Sequence, residues 1–330
     1  MILSRTRNAL LVAATSTSLF FFGCGSSDEP AHGGKAGGAG VENTGADNAG
    51  AADDGGAPDT GESPGAGGTT DVGDGPSGEA GETSEPTGHV FSIKFDYRFD
   101  RAGYFDAPER RAALEAAAAT WSALISNDFP SVPAGVKLTL TDPEDRDQLV
   151  TVDSLEEDID DLLVFVGTSE AIDGYGRGGP AGPAETDDME LQQSFFTRQI
   201  GNDFQPWAGS ISFKGSVDYF FDKTPATTSD IPKTKYDFIT LATHELGHVL
   251  GFASCPAFVS LERDDNFLGK RAFDAYGGAV PLEADHGHFA EGTQSDGVEA
   301  LMTPKLINGV RRGPTALDLA AMFDIGYTAR

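Results

Sequence analysis

Between Phe22 and Phe91 the chain contains no aromatic residue, and Gly25 to Gly88 carries thirteen acidic residues against one base, Lys35. A stretch so rich in Gly, Ala, Ser, Thr and carboxylates buries too little apolar surface to offset the entropy of ordering it. Gly-rich chain is flexible, and like charges extend it further. Residues 24–88 therefore read as an acidic tether, and residues 89–330 as the part that folds. Roughly 240 residues suffice for one substantial core. The net charge of −29, from 23 basic and 52 acidic residues, argues against nucleic acid, whose phosphates need Lys and Arg. It also argues against electrostatic docking on an anionic membrane face. It fits a soluble, self-repelling chain, for which a monomer is the expected state.

The first residues read as an export signal. Arg5 and Arg7 precede an uncharged, mostly apolar run of fourteen residues, Ala9 to Phe22. That is short of the about 20 needed for a spanning helix. The following Phe21-Phe22-Gly23-Cys24 resembles the lipobox of bacterial lipoproteins. The resemblance implies a signal peptide over 1–23, acylation of Cys24, and a secreted domain tethered to a membrane of the bacterial cell envelope. The bland alternative is an ordinary signal peptide with an incidental Cys. With Cys24 so used, Cys255 is the remaining thiol of two. No disulfide framework is expected, and Cys255 reads as a small buried apolar residue.

Within 89–330 the patterns alternate between strand and helix. Val90 to Tyr97 has strand composition. Pro108 to Ile125 is built of helix formers, with Pro in the first turn and Leu114, Ala117, Ala118, Trp121 and Ile125 on one face. Val136 to Leu140 alternates, Leu162 to Val166 is a continuous apolar run, and Ile211 to Phe213 is a further strand. Gly174 to Pro183 holds too much Gly and Pro for a regular element. Met189 to Ile200 reads as a short amphipathic helix, and Pro314 to Phe323 as a core helix closed by Gly326. The order predicts an α/β (α+β) domain, with a mixed sheet packed on a helix that carries the chemistry.

That chemistry lies in Tyr236 to Gly251, where His244-Glu245-Leu246-Gly247-His248 is flanked by Phe238, Leu241, Ala242, Val249 and Leu250. Two His four apart share one helix face and can bind a single zinc ion. Glu245 stands beside them as the candidate general base. It is placed to take a proton from a zinc-bound water whose pKa falls to about 7, and to pass it to the leaving amine. Gly251, three residues after His248, suits an abrupt helix end, since Gly enters the left-handed region freely.

The stretch His244 to Phe252 resembles the start of the metzincin consensus, and Leu301-Met302-Thr303-Pro304 resembles the Met-turn of that clan. In the usual metzincin pattern a third ligand follows three residues after the Gly, but Ser254 stands there, and a neutral hydroxyl is a poor zinc ligand. The layout is similar to the leishmanolysin-like branch, in which an insertion separates the Gly from the third His. The likeness spans about Asp237 to Tyr327. It implies a metzincin-like zincin domain, a zinc metalloprotease hydrolysing peptide bonds of a protein or peptide substrate, and Met302 beneath the metal. Of the six His, His32 lies in the tether and His89 opens the domain, which leaves His288 and His286 for the third ligand; a carboxylate such as Glu283 or Glu299 would make a different zinc-peptidase layout, against which Gly251 and Met302 argue. His288 is favoured because an aromatic, Phe289, follows it, as in leishmanolysin-like sequences.

Asp264-Asp265-Asn266 and Asp187-Asp188 are oxygen-rich candidates for Ca²⁺. Neither has EF-hand spacing, and solvated acidic loops are the commoner case. Three functions stay in view: an active zinc endopeptidase, a catalytically inactive zinc-site lipoprotein that binds at the surface, and an envelope structural lipoprotein with an accidental motif. Intact Glu245 weighs against the second.

Overall fold

The computed structural model describes residues 89–201 and 203–330. The signal peptide, Cys24 and the acidic tether expected from the sequence lie outside them. In chain order the main elements are β1 (Ile93–Asp96), α1 (Pro108–Ser122), β2 (Leu138–Thr141), β3 (Leu149–Val152), β4 (Leu162–Thr168), β5 (Gly176–Pro180), α2 (Met189–Ile200), β6 (Ala208–Phe213), α3 (Phe238–Val249), α4 (Pro256–Val259), α5 (Lys270–Tyr276) and α6 (Ala316–Asp324). The other strands after β6 are two residues long. No helix of the described residues is long and apolar enough to cross a membrane.

The central sheet has the order β1-β4-β6-β5. β1, β4 and β6 run parallel, and β5 pairs antiparallel with β6 at the edge. Val164, Val166, Ile211 and Phe213 on one face join α1 and α3 in the larger core. Phe165 and Ala208 on the other face join Trp207, Phe195 of α2 and the β2–β3 hairpin in a second cluster. A sheet covered on both faces explains why β4 reads as a continuous apolar run.

Helix α1 begins with Pro at its first position and buries Ala113, Leu114, Ala117, Ala118 and Trp121. Ile125, expected inside the helix, lies just past its end and is buried all the same. Trp121 Nε1–H donates to the Thr243 carbonyl at 2.8 Å, fixing α1 against α3. Every residue of α3 is buried, which is why its sequence is apolar almost all round.

One expectation is corrected. Gly174 to Pro183 is not irregular: Gly176–Pro180 forms β5, fully paired with Gly209–Phe213. Pro is tolerated because this is an edge strand. The Gly content has a tertiary cause, since α3 crosses so close that a β-carbon on Gly178 would strike the Glu245 carbonyl.

Candidate metal centre

The centre is built on the C-terminal half of α3. The helix starts at Asp237, whose Oδ2 accepts the Thr240 amide at 2.9 Å as an N-cap. Arg311 clasps the same carboxylate through Nε and Nη2 at 2.9 and 2.7 Å and reaches Asp222 with Nη2 at 2.7 Å. His244, Glu245 and His248 then follow at 3, 0 and 1% exposure.

The helix stops where the sequence says it should. Gly251 has φ +114° and turns the chain back. A β-carbon there would lie 2.6 Å from Phe204. Ser254, at the position of the missing third ligand, donates its hydroxyl to the His248 carbonyl at 2.5 Å and so closes the helix end. Cys255 is a free thiol, buried as expected, and burial pushes its pKa up to about 12.

His288 arrives from the later loop, 1% exposed. Its ring centroid lies 5.2 Å from that of His244 and 5.1 Å from that of His248. One nitrogen from each of the three imidazoles falls within 4.8 Å of the others. The Nε2 atoms of His244 and His248 are 3.1 Å apart, close to the ~3.3 Å expected of two nitrogens bound tetrahedrally to one zinc. Two tautomers are set by outer partners. His244 Nδ1 faces the Leu301 carbonyl at 2.8 Å and His248 Nδ1 the Phe252 carbonyl at 3.1 Å, leaving each Nε2 for the centre.

The Leu301-Met302 turn lies against this group. Met302 is fully buried, and a β-carbon on Gly247 would come 2.6 Å from its sulfur, so Gly247 admits the turn to the helix face. The Phe289 amide donates to the Met302 carbonyl at 3.0 Å, tying the third imidazole's segment to the same turn. Phe289 also packs edge-on against Phe252, with ring centroids 4.9 Å apart.

His286, the other candidate, is turned away. Its φ of +60° reverses the chain, so the extended path that would point both rings the same way does not exist. Its Nδ1 and Nε2 pair with Glu262 and Asp265 at 3.0 and 2.9 Å. Those two carboxylates raise its pKa. Asp264 and Asp265, proposed for Ca²⁺, form the tip of a two-residue hairpin turn at φ +52° and +58°. Neither they nor Asp187 and Asp188 enter a cluster of three potential donors among the described residues. The other such cluster, His89 with Asp160 and Asp161, has a structural account. Asp161 accepts the Ser92 and Phe129 amides at 2.7 and 2.9 Å and pairs with His89 at 3.0 Å, pinning the start of the domain.

The electrostatics follow from burial. Desolvation, then the neighbouring His248, drives His244 and His288 well below the ordinary imidazole pKa. Burial takes His248 down to about 4. Burial pushes Glu245 up to about 8, against the Gly178 amide and the Arg146 and Arg177 guanidiniums, which favour its charged form. The Gly178 amide is the backbone donor facing the Glu245 carboxylate, though neither Glu245 oxygen, nor His288 Nε2, has a partner of standard hydrogen-bond geometry among the described residues. Buried polar atoms are rarely left so. Three neutral imidazoles with converging nitrogens, beside a carboxylate, fit a divalent cation of the imidazole-preferring class.

In comparisons with known proteins, no family model and no curated protein matches this chain. The function of the centre is therefore read from its own residues.

Two residues escaped the sequence reading. Asp318 of α6 accepts the Leu301 and Met302 amides at 2.8 and 3.0 Å and thereby holds the turn beneath the imidazoles. Its signal was present, because Thr315 and Asp318 form a capping box at the start of α6. Arg311, which grips the N-cap of α3, gave no local signal.

Proposed function

We propose that the chain is a zinc-dependent endopeptidase of the metzincin type, akin to the leishmanolysin-like branch and displayed outside the cytoplasm on a lipid anchor at Cys24. The observation that carries this reading is the convergence of His244, His248 and His288 around one point, with Glu245 on the same helix turn. The Gly251 reversal and the buried Met302 support the family likeness. The anchor rests on the sequence pattern alone.

His244, His248 and His288 would hold the ion. Zinc bound by three imidazoles supplies a Lewis acid that polarises a carbonyl and acidifies water at neutral pH. Glu245 takes the proton of the attacking water and delivers it to the leaving amine. A nearby dication favours its carboxylate form, opposing the burial that raises its pKa. Helix α3, fixed at its head by Arg311 and along its side by Trp121, keeps the base and two of the three ligands on one rigid element.

A second reading is a zinc-holding surface module without turnover. It is favoured by the near-complete burial of all four side chains. Substitution Glu245→Gln separates the two. The peptidase reading expects a zinc-replete variant whose cleavage of an unstructured protein falls on the order of 10³-fold or more. Undiminished cleavage, or a zinc-loaded wild type that cleaves nothing, contradicts it.

A further inference from the structure

We infer that the glycines of β5 position the Glu245 carboxylate, so that Gly176 and Gly178 are required by the base rather than by the strand. The inference rests on Glu245 acting as proposed above.

Neither glycine has a φ in the left-handed region, so backbone conformation alone admits any residue at either place. The requirement comes from what lies against them. Lys214 N–H donates to the Tyr175 carbonyl at 2.9 Å and Ala181 N–H to the Ala208 carbonyl at 2.7 Å. The odd-numbered residues of β5 therefore turn their polar groups toward β6. By the alternation of an antiparallel pair, Gly176 and Gly178 turn theirs to the free edge. They also share a sheet face with Ile211 and Phe213, the face on which α3 packs.

The two glycines meet different parts of Glu245. A β-carbon on Gly176 would fall 2.7 Å from Glu245 Cδ and 2.8 Å from Cγ, inside the space of the side chain. A β-carbon on Gly178 would meet the backbone instead, 3.1 Å from the Glu245 carbonyl carbon and 3.3 Å from its α-carbon. Gly178 thus sets how close the helix approaches, and Gly176 sets where the carboxylate lies. The Gly178 amide faces the carboxylate as a donor, and no hydrogen bond of standard geometry among the described residues fixes either oxygen. The bare surface of Gly176 bounds the side chain on that side.

The substitution to make is Gly176→Ala, because it displaces the movable end of a side chain and leaves the helix backbone alone. Gly182→Ala, which meets nothing within 4 Å, is the control. Expected is a Gly176→Ala protein with full zinc content and unchanged KM but a kcat lower on the order of a hundredfold, as misplacement of a reacting group by about 1 Å produces. Its crystal structure should show the Glu245 carboxylate displaced. An unmoved carboxylate or a wild-type kcat would overturn the inference. A zinc-loaded wild type that cleaves nothing would instead overturn the peptidase reading, while the carboxylate displacement would still be read crystallographically.

Discussion

Glu245 is a carboxylate with no exposure, and that burial has a thermodynamic consequence. Its folded-state pKa of about 8 lies above the usual 4.5, so in metal-free protein the native state keeps a proton that the unfolded state releases. Stability from this group is present below about 4.5 and is lost as pH rises toward about 8. The three imidazoles act with the opposite sign, since burial keeps them neutral. They are common to wild type and Glu245→Gln and cancel in the comparison. Urea unfolding of the two chelated proteins should therefore show the Gln variant gaining on wild type as pH rises through that window. The gain is on the order of 3–5 kcal/mol at most, with the low-pH limit as reference. A pH-independent difference would mean that Glu245 is not buried as described.

Among the elements, α6 has the longest reach. The Thr315–Asp318 capping box starts the helix, and the same Asp318 carboxylate takes the Leu301 and Met302 amides. Leu301 in turn faces His244 Nδ1 through its carbonyl. A helix assigned no chemistry from its sequence thus orients a candidate metal ligand two hydrogen bonds away. Asp318→Asn keeps the shape but replaces one acceptor oxygen by a donor. Its zinc affinity should fall about 10- to 100-fold, as loss of outer-shell partners commonly brings. Competition with a chromophoric chelator reads this, and an unchanged affinity would show that the turn holds itself. The sequence revealed the helices because periodicity and caps are local: α1, α2, α3 and α6 fall where Leu114 to Trp121, Met189 to Ile200, the His-Glu motif and Pro314 to Phe323 put them. β5 was hidden because its glycines answer to α3, a partner distant in sequence. The choice between His286 and His288 turned on a single positive φ, which alternation rules do not anticipate.

At the scale of the whole molecule, the sheet, α1 and the 282–302 segment converge on one fully buried helix. Trp121 grips it from α1, β5 covers Glu245, and Phe289 and Met302 close it from the far end. The order of elements and the two helical His were legible because they follow composition and spacing. The grip of Arg311 on Asp237 and Asp222 was not, because its partners lie 74 and 89 residues away. The central claim is that three imidazoles, and not two, define the metal site. Zinc analysis of the purified full chain beside its His288→Ala and His286→Ala variants tests this most directly. We predict one zinc per chain for wild type and His286→Ala and none for folded His288→Ala. A zinc-free wild type, or a His288→Ala protein that keeps its zinc, would contradict it.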